Sequence, residues 1–212
     1  MFHLYGLLVG IAIVAAWSVG EARDSRVNKI FPWVMSFGLL GARAYHVIDW
    51  WEYYSSNLVM VLSVWNGGLG IWGGIAGGLL GFWFGSNFYR YHHKDELLAA
   101  IVMGLPLGQA IGRLGNAASG EFGERVGSMP WWAAEMCLDL ILFGVIFRVS
   151  KLGNHQSKRI VGTYLVGYGL IRFGLEFWRT NSWKVASFGV AQWVSILSIV
   201  IGLLICRMRV HD

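Results

Sequence analysis

Charge is what this 212-residue chain has least of. Asp, Glu, Lys and Arg together make 14% of it, against about a quarter in a soluble domain. Hydrophobic residues make 56%, and the mean hydropathy is +0.52. That balance reads as an integral membrane protein. A span takes roughly 20 apolar residues, so about seven spans use most of the length and leave little for a soluble domain. Cysteine is nearly as scarce. Cys137 and Cys206 lie in or at the end of apolar runs far apart, which excludes a disulfide framework and a cysteine zinc site. A basic segment before the first apolar run is also missing, and Ala15-Ala16-Trp17-Ser18 is a poor cleavage site. The first run is therefore expected to stay as a helix rather than leave as a signal peptide.

Apolar runs cover about 4–20, 31–49, 68–88, 97–112, 131–149, 161–178 and 190–206. Each predicts a transmembrane helix, giving an all-α fold in a single transmembrane domain over 1–212. Trp50, Trp51, Tyr53, Tyr54 and Trp65 between the second and third runs form an interfacial aromatic belt. One set of loops, with the C-terminus, carries Arg23, Arg26, Lys29, Arg90, Lys94, Arg148, Lys151, Lys158, Arg159, Arg207 and Arg209. The other carries Arg113, Arg125, Arg179 and Lys184. The basic side is cytoplasmic by the positive-inside rule, so the N-terminus faces outward. The net charge of +5 is then a topology signal, with attraction to anionic lipid, and not a nucleic-acid footprint.

The third span repeats glycine every four residues at Gly73, Gly77, Gly81 and Gly85. Such a stripe packs helices closely; a groove for a lipid tail is the functional alternative, and packing is preferred.

The most informative stretch is Gly112-Arg113-Leu114-Gly115-Asn116-Ala117-Ala118-Ser119-Gly120-Glu121. It reads as a glycine-rich turn after the fourth span, with small residues that let backbone approach a ligand. A cation at a bilayer edge is costly without a partner or a task. Arg43 in the second span and Arg172 in the sixth fall at the same outer depth as Arg113, and His3 and Tyr5 open the first span on that side. Arg172, Glu176 and Arg179 share a helix face, where Glu176 can serve as an internal salt bridge. Three cations at one depth exceed that one pair. An external anion, a lipid headgroup phosphate, then becomes attractive, and guanidinium suits two-pronged phosphate contact. His46 shares a face with Arg43. Tyr45 and Asp49 read as interface anchors and Tyr168 as packing. Glu135 and Asp139, an i, i+4 carboxylate pair, have no evident partner. His92-His93 reads as a solvated turn, and neither a metal nor a cofactor is expected.

At these residues the chain resembles the phosphatidylglycerol–prolipoprotein diacylglyceryl transferase family, over nearly its whole length. His3-Leu4-Tyr5-Gly6 resembles H-x-Y-G. Gly41-Ala42-Arg43 resembles G-x-R, and Trp65-Asn66-Gly67-Gly68-Leu69 resembles W-x-G-G-[ML]. Gly112-Arg113-Leu114-Gly115-Asn116 with Gly120-Glu121 resembles G-R-x-G-N-F-x-N-x-E. Gly169 through Arg172 to Glu176-Phe177-Trp178-Arg179 resembles G-x-x-R-x-x-x-E-F-x-R. The resemblance implies a seven-helix enzyme of the bacterial plasma (inner) membrane with its site facing the outer leaflet. It implies transfer of a diacylglyceryl group from phosphatidylglycerol to the lipobox cysteine of a preprolipoprotein, releasing glycerol phosphate. It assigns Arg113 and Arg172 to the phosphate and Asn116 and Tyr5 to headgroup oxygens. Glu121 and Glu176 orient arginines, Arg179 joins the headgroup site, and Arg43 takes either job.

The departures are specific. A family histidine before the Gly-Gly of the third span is Trp72 here, and tryptophan takes no proton from a thiol. The family's H-P-x-Q-x-Y-E appears as Met129-Pro130-Trp131-Trp132-Ala133-Ala134-Glu135, and the outer segment from Glu121 to Pro130 is short. His3 or His46 is then the candidate base. A non-catalytic or altered-substrate homologue that binds lipid or lipoprotein is the alternative. An unrelated transporter would need a polar path through both leaflets.

Overall fold

A computed structural model describes residues 4–119, 125–152, 156–179, 184–185 and 188–208. Among these, seven helices have 18 residues or more: α1 (Leu4–Arg23), α2 (Val27–Asp49), α4 (Ile71–Phe88), α5 (Lys94–Ser119), α6 (Trp131–Ser150), α7 (Ser157–Leu175) and α8 (Val190–Arg207). A short helix, α3 (Trp51–Ser55), follows α2. The only strands among the described residues form two-residue hairpins, Arg125–Val126 with Met129–Pro130 and Lys184–Val185 with Phe188–Gly189. The protein is all-α, as the run of apolar segments predicts: with no water in a bilayer core, a helix satisfies every backbone group internally. Three helices, Leu4–Arg23, Lys94–Ala118 and Val190–Arg207, are long and apolar enough to cross a membrane by length and composition.

The chain divides into two compact units, residues 26–94 and residues 1–25 with 95–212. In the first, α2 and α4 pack along the glycine stripe. A Cβ on Gly73, Gly77 or Gly81 would overlap the carbonyl oxygen of Gly41, Phe37 or Trp33 in turn, and one on Gly85 would press the Trp33 ring at 3.0 Å. The four glycines of α4 thus face a row spaced four apart on α2, and the two backbones touch. Packing, the preferred reading of the stripe, is what the structure shows; lipid tails give no hydrophobic drive between helices, so close van der Waals contact supplies it.

The second unit is built on small-residue contacts too. Gly104 and Gly108 of α5 lie against Ala16 and Ala12 of α1. Gly162 of α7 faces the carbonyl of Gly202 in α8, and Ser198 Oγ donates to the Leu165 carbonyl at 2.8 Å. A core of Ala99, Met103, Leu142, Ile146 and Ile160 joins α5, α6 and α7, with Tyr168 packed against it as expected. Cys137 and Cys206 are free thiols.

One boundary differs with consequence. The turn expected from Gly112 is helical: α5 runs on to Ser119. A glycine costs a helix only about 1 kcal/mol relative to alanine, and here Gly115 lies under the Tyr5 ring, where a Cβ would be 3.1 Å from Cδ2. Packing of α1 on α5 outweighs propensity.

Candidate functional site

In the larger unit the polar side chains gather where α5, α6 and α7 meet. Arg113 and Asn116 sit three apart near the end of α5 and so share a face. The Arg113 guanidinium donates to Glu135 Oε1 at 2.6 Å. This corrects the expectation that Glu135 has no partner: α6 places it one turn in from its start, completely buried, opposite Arg113. Arg172 pairs with Glu176 at 2.7 Å, the internal salt bridge anticipated for that residue, and Arg179 lies 3.9 Å from the same carboxylate oxygen. Helix α7 stops at Leu175 and a 3-10 turn, Glu176–Trp178, brings Arg179 round. Glu176 also covers Gly189 at the start of α8, where a Cβ would meet its Oε1 at 3.1 Å.

The residue that organises this cluster was missed. Trp131 opens α6, is 1% exposed, and donates its indole N–H to the Leu175 carbonyl at 3.1 Å. That bond fastens the start of α6 to the end of α7. Around its ring lie the guanidiniums of Arg113, Arg172 and Arg179 at 5.4, 5.5 and 6.0 Å. An aromatic face attracts cations, so one indole holds three like charges near each other. The signal available in the sequence was a tryptophan four residues before a buried glutamate, which alone does not point to arginines.

Among the described residues these guanidiniums make ion pairs to Glu135 and Glu176, and Asp139 lies buried one turn farther along α6. Arg172 Nη1 is buried with no hydrogen-bond partner among the described residues. Such a set suits one further anion and the stabilisation of negative charge as a bond to phosphate breaks. Asn116 is buried, and Tyr5, 45% exposed, packs its ring on the neighbouring Gly115. Next to the cluster, an apolar hollow of about 520 Å³ is lined by Val126, Leu138, Leu170, Ile171, Leu175 and Trp178. His3 and Glu121 lie outside the described residues.

Arg43, for which either job was expected, belongs to the other unit and donates to backbone carbonyls there. It is 7% exposed, and all its N–H groups are directed at backbone carbonyls. Nε donates to Val61 at 2.9 Å, Nη1 to Gly67 at 2.7 Å and Gly68 at 2.9 Å, and Nη2 to Ser63 at 3.3 Å and to Met60. Guanidinium has five donors, and none is left for a phosphate. Gly67 and Gly68 have φ of 83° and 74°, the left-handed region open to glycine. The G-x-R and W-x-G-G motifs are therefore two halves of one device that folds the segment after α3. His46 packs edge-on to Tyr54 and against Trp50, and with Arg43, Tyr53, Ser63 and Gly68 lines a cavity of about 390 Å³. Trp72, 42% exposed, stands in the first turn of α4. Tyr45 packs its ring on Gly70 and its Cβ against Gly73, and Asp49 is exposed at the end of α2. No group of three or more His, Cys, Asp or Glu able to hold a metal occurs among the described residues.

Comparison with known proteins places these residues in a family. The family model described as prolipoprotein diacylglyceryl transferase matches residues 1–208. A phosphatidylglycerol–prolipoprotein diacylglyceryl transferase of Lactococcus lactis subsp. lactis (strain IL1403) is 34% identical over 98% of this chain and 90% of its own length. One of Mycobacterium leprae (strain Br4923) is 41% identical over 60% of this chain. One of Frankia casuarinae is 36% identical over a similar share. The match spans 42% of the Mycobacterium leprae protein's length and 33% of the Frankia protein's.

Proposed function

Since the chain belongs to the prolipoprotein diacylglyceryl transferase family, we propose that it moves the diacylglyceryl group of phosphatidylglycerol onto the lipobox cysteine of a preprolipoprotein. The observation that carries this for the chain itself is the arginine cluster around Trp131. Arg113 and Arg172 bind the phosphate, with Arg179 adding charge, and Glu176 orients Arg172 at 2.7 Å. Tyr5 and Asn116 hydrogen-bond headgroup oxygens, and Glu121 orients an arginine. The apolar hollow between α6 and α7 takes an acyl chain. Arg43 serves the reaction indirectly, by holding the segment after α3.

The chemistry runs as a displacement. The cysteine sulfur attacks the glyceryl carbon, the C–O bond breaks, and the bonding pair leaves on the phosphate oxygen of glycerol phosphate. Arginines already placed around that phosphate stabilise the leaving charge. All seven long helices span a bacterial plasma membrane as one domain, with the N-terminus outside, the C-terminus cytoplasmic and the site facing the outer leaflet. Support for that orientation comes from the lysine and arginine distribution.

The experiment is direct. Purified protein with phosphatidylglycerol and a lipobox peptide yields a peptide heavier by one diacylglyceryl group, and Arg113→Ala yields none. An unchanged rate in Arg113→Ala refutes the arginine site. Absence of product with the unaltered protein refutes the activity.

A further inference from the structure

Behind the arginine cluster, α5, α6 and α7 enclose polar groups that the phosphate site does not use. Glu135 and Asp139 are one turn apart on α6 and both wholly buried. Glu135 spends one oxygen on Arg113; its Oε2 and both oxygens of Asp139 have no hydrogen-bond partner among the described residues. The charged and titratable groups within electrostatic reach of the pair are Arg113 from α5, Tyr164, Tyr168 and Arg172 from α7, and Arg179 just past its end; Gln109 of α5 donates to the Tyr164 hydroxyl at 3.1 Å. A buried carboxylate without donors is costly, and two of them one turn apart repel each other. Among the described residues, Arg113 is the one cation ion-paired to either.

Resting on the transferase reading above, we propose that the Glu135–Asp139 pair is the acceptor of the thiol proton, armed when the lipid phosphate draws Arg113 away from Glu135. Arg113 cannot hold both anions at full strength. As its guanidinium turns to phosphate, Glu135 Oε1 is left without its donor in a buried site and can take the thiol hydrogen in its place. The S–H proton passes to Glu135 as the S–C bond forms and the C–O pair leaves on phosphate. Asp139, which touches no substrate, is a positioning residue that shares the proton with Glu135. When glycerol phosphate departs, Arg113 returns to Glu135 and the proton is released. This gives the chain a base with Trp72 standing where the family has a histidine, and makes the base available only when lipid is bound.

The test uses the full chain with phosphatidylglycerol and two lipobox peptides, one with cysteine and one with selenocysteine, whose selenol is already ionised near neutrality and needs no base. With the cysteine peptide, Asp139→Asn and Glu135→Gln should lower kcat by about 100-fold, Asp139→Asn with KM for the lipid unchanged, and Asp139→Glu should recover much of the rate. With selenocysteine most of the loss should vanish. An equal loss with both peptides, or full activity of both variants with cysteine, overturns the proposal. A second measurement needs no variant: adding glycerophosphoglycerol, a phosphodiester of constant charge near neutrality, to weakly buffered protein should cause net proton uptake. No uptake on saturating binding also overturns it. Product formation by the unaltered protein with either peptide separates failure here from failure of the transferase reading, which would leave both peptides unmodified.

Discussion

Arg43 Nη1 donates to the Gly67 carbonyl at 2.7 Å, and Gly67 offers that oxygen from a φ of 83°. A charged side chain reaches its partner here through a backbone shape that only glycine takes easily. The result is a folded segment pinned to α2 by one guanidinium.

Lysine at position 43 should keep the charge and lose the device. Its ammonium has three donors on a flexible stem in place of a five-donor fork. Arg43→Lys is expected to cost on the order of 2 kcal/mol, as buried carbonyls are left unmet. Limited proteolysis checks it, with new cleavage between Ser56 and Gly68.

The glycine seam makes a paired prediction. A Cβ at Gly77 overlaps the Phe37 carbonyl, whereas one at Gly78 meets Val34 Cγ1 at 3.8 Å, an ordinary contact. Gly77→Ala should destabilise by about 1–3 kcal/mol through overpacking. Gly78→Ala should be neutral or stabilising by up to about 1 kcal/mol, since alanine favours helix. Thermal unfolding in detergent reads both.

Trp131 should matter for substrate affinity more than for the chemical step. Trp131→Leu keeps an apolar side chain at the start of α6 but removes the face that three guanidiniums share. Losing cation–π contacts of about 0.5–1 kcal/mol each should raise KM for phosphatidylglycerol by on the order of tenfold. Steady-state kinetics with lipid as the varied substrate decide it, and a fall in kcat alone goes against it.

The histidines considered as bases should prove dispensable. A general base contributes at least about 100-fold. The double variant His3→Ala/His46→Ala is expected to show no loss of that size. His46 packs against Trp50 and Tyr54, so its removal should instead lower the unfolding temperature.

Helix positions were legible because composition left one option. Each apolar run, from 4–20 to 190–206, coincides with a long helix, and the errors fall at the ends, where glycine content at Gly112 and Gly115 argued for a turn that Tyr5 packing overrides. Arg172 with Glu176 was readable because i, i+4 pairs are local. Arg113 with Glu135 was not, since 22 residues and a change of helix separate them. Arg43 misled for a related reason. A buried arginine advertises a need for acceptors, but nothing in its own helix distinguishes a phosphate from carbonyls of a segment about 20 residues on.

The continuation of α5 to Ser119 bears on how a headgroup is received. Were Arg113 and Asn116 on a loose turn, each binding event would have to immobilise backbone, at a conformational entropy of about 1–2 kcal/mol per residue. On a continuous helix that ordering is complete before the lipid arrives. Contact energy at this end of α5 then appears as affinity, with little lost to the settling of the chain.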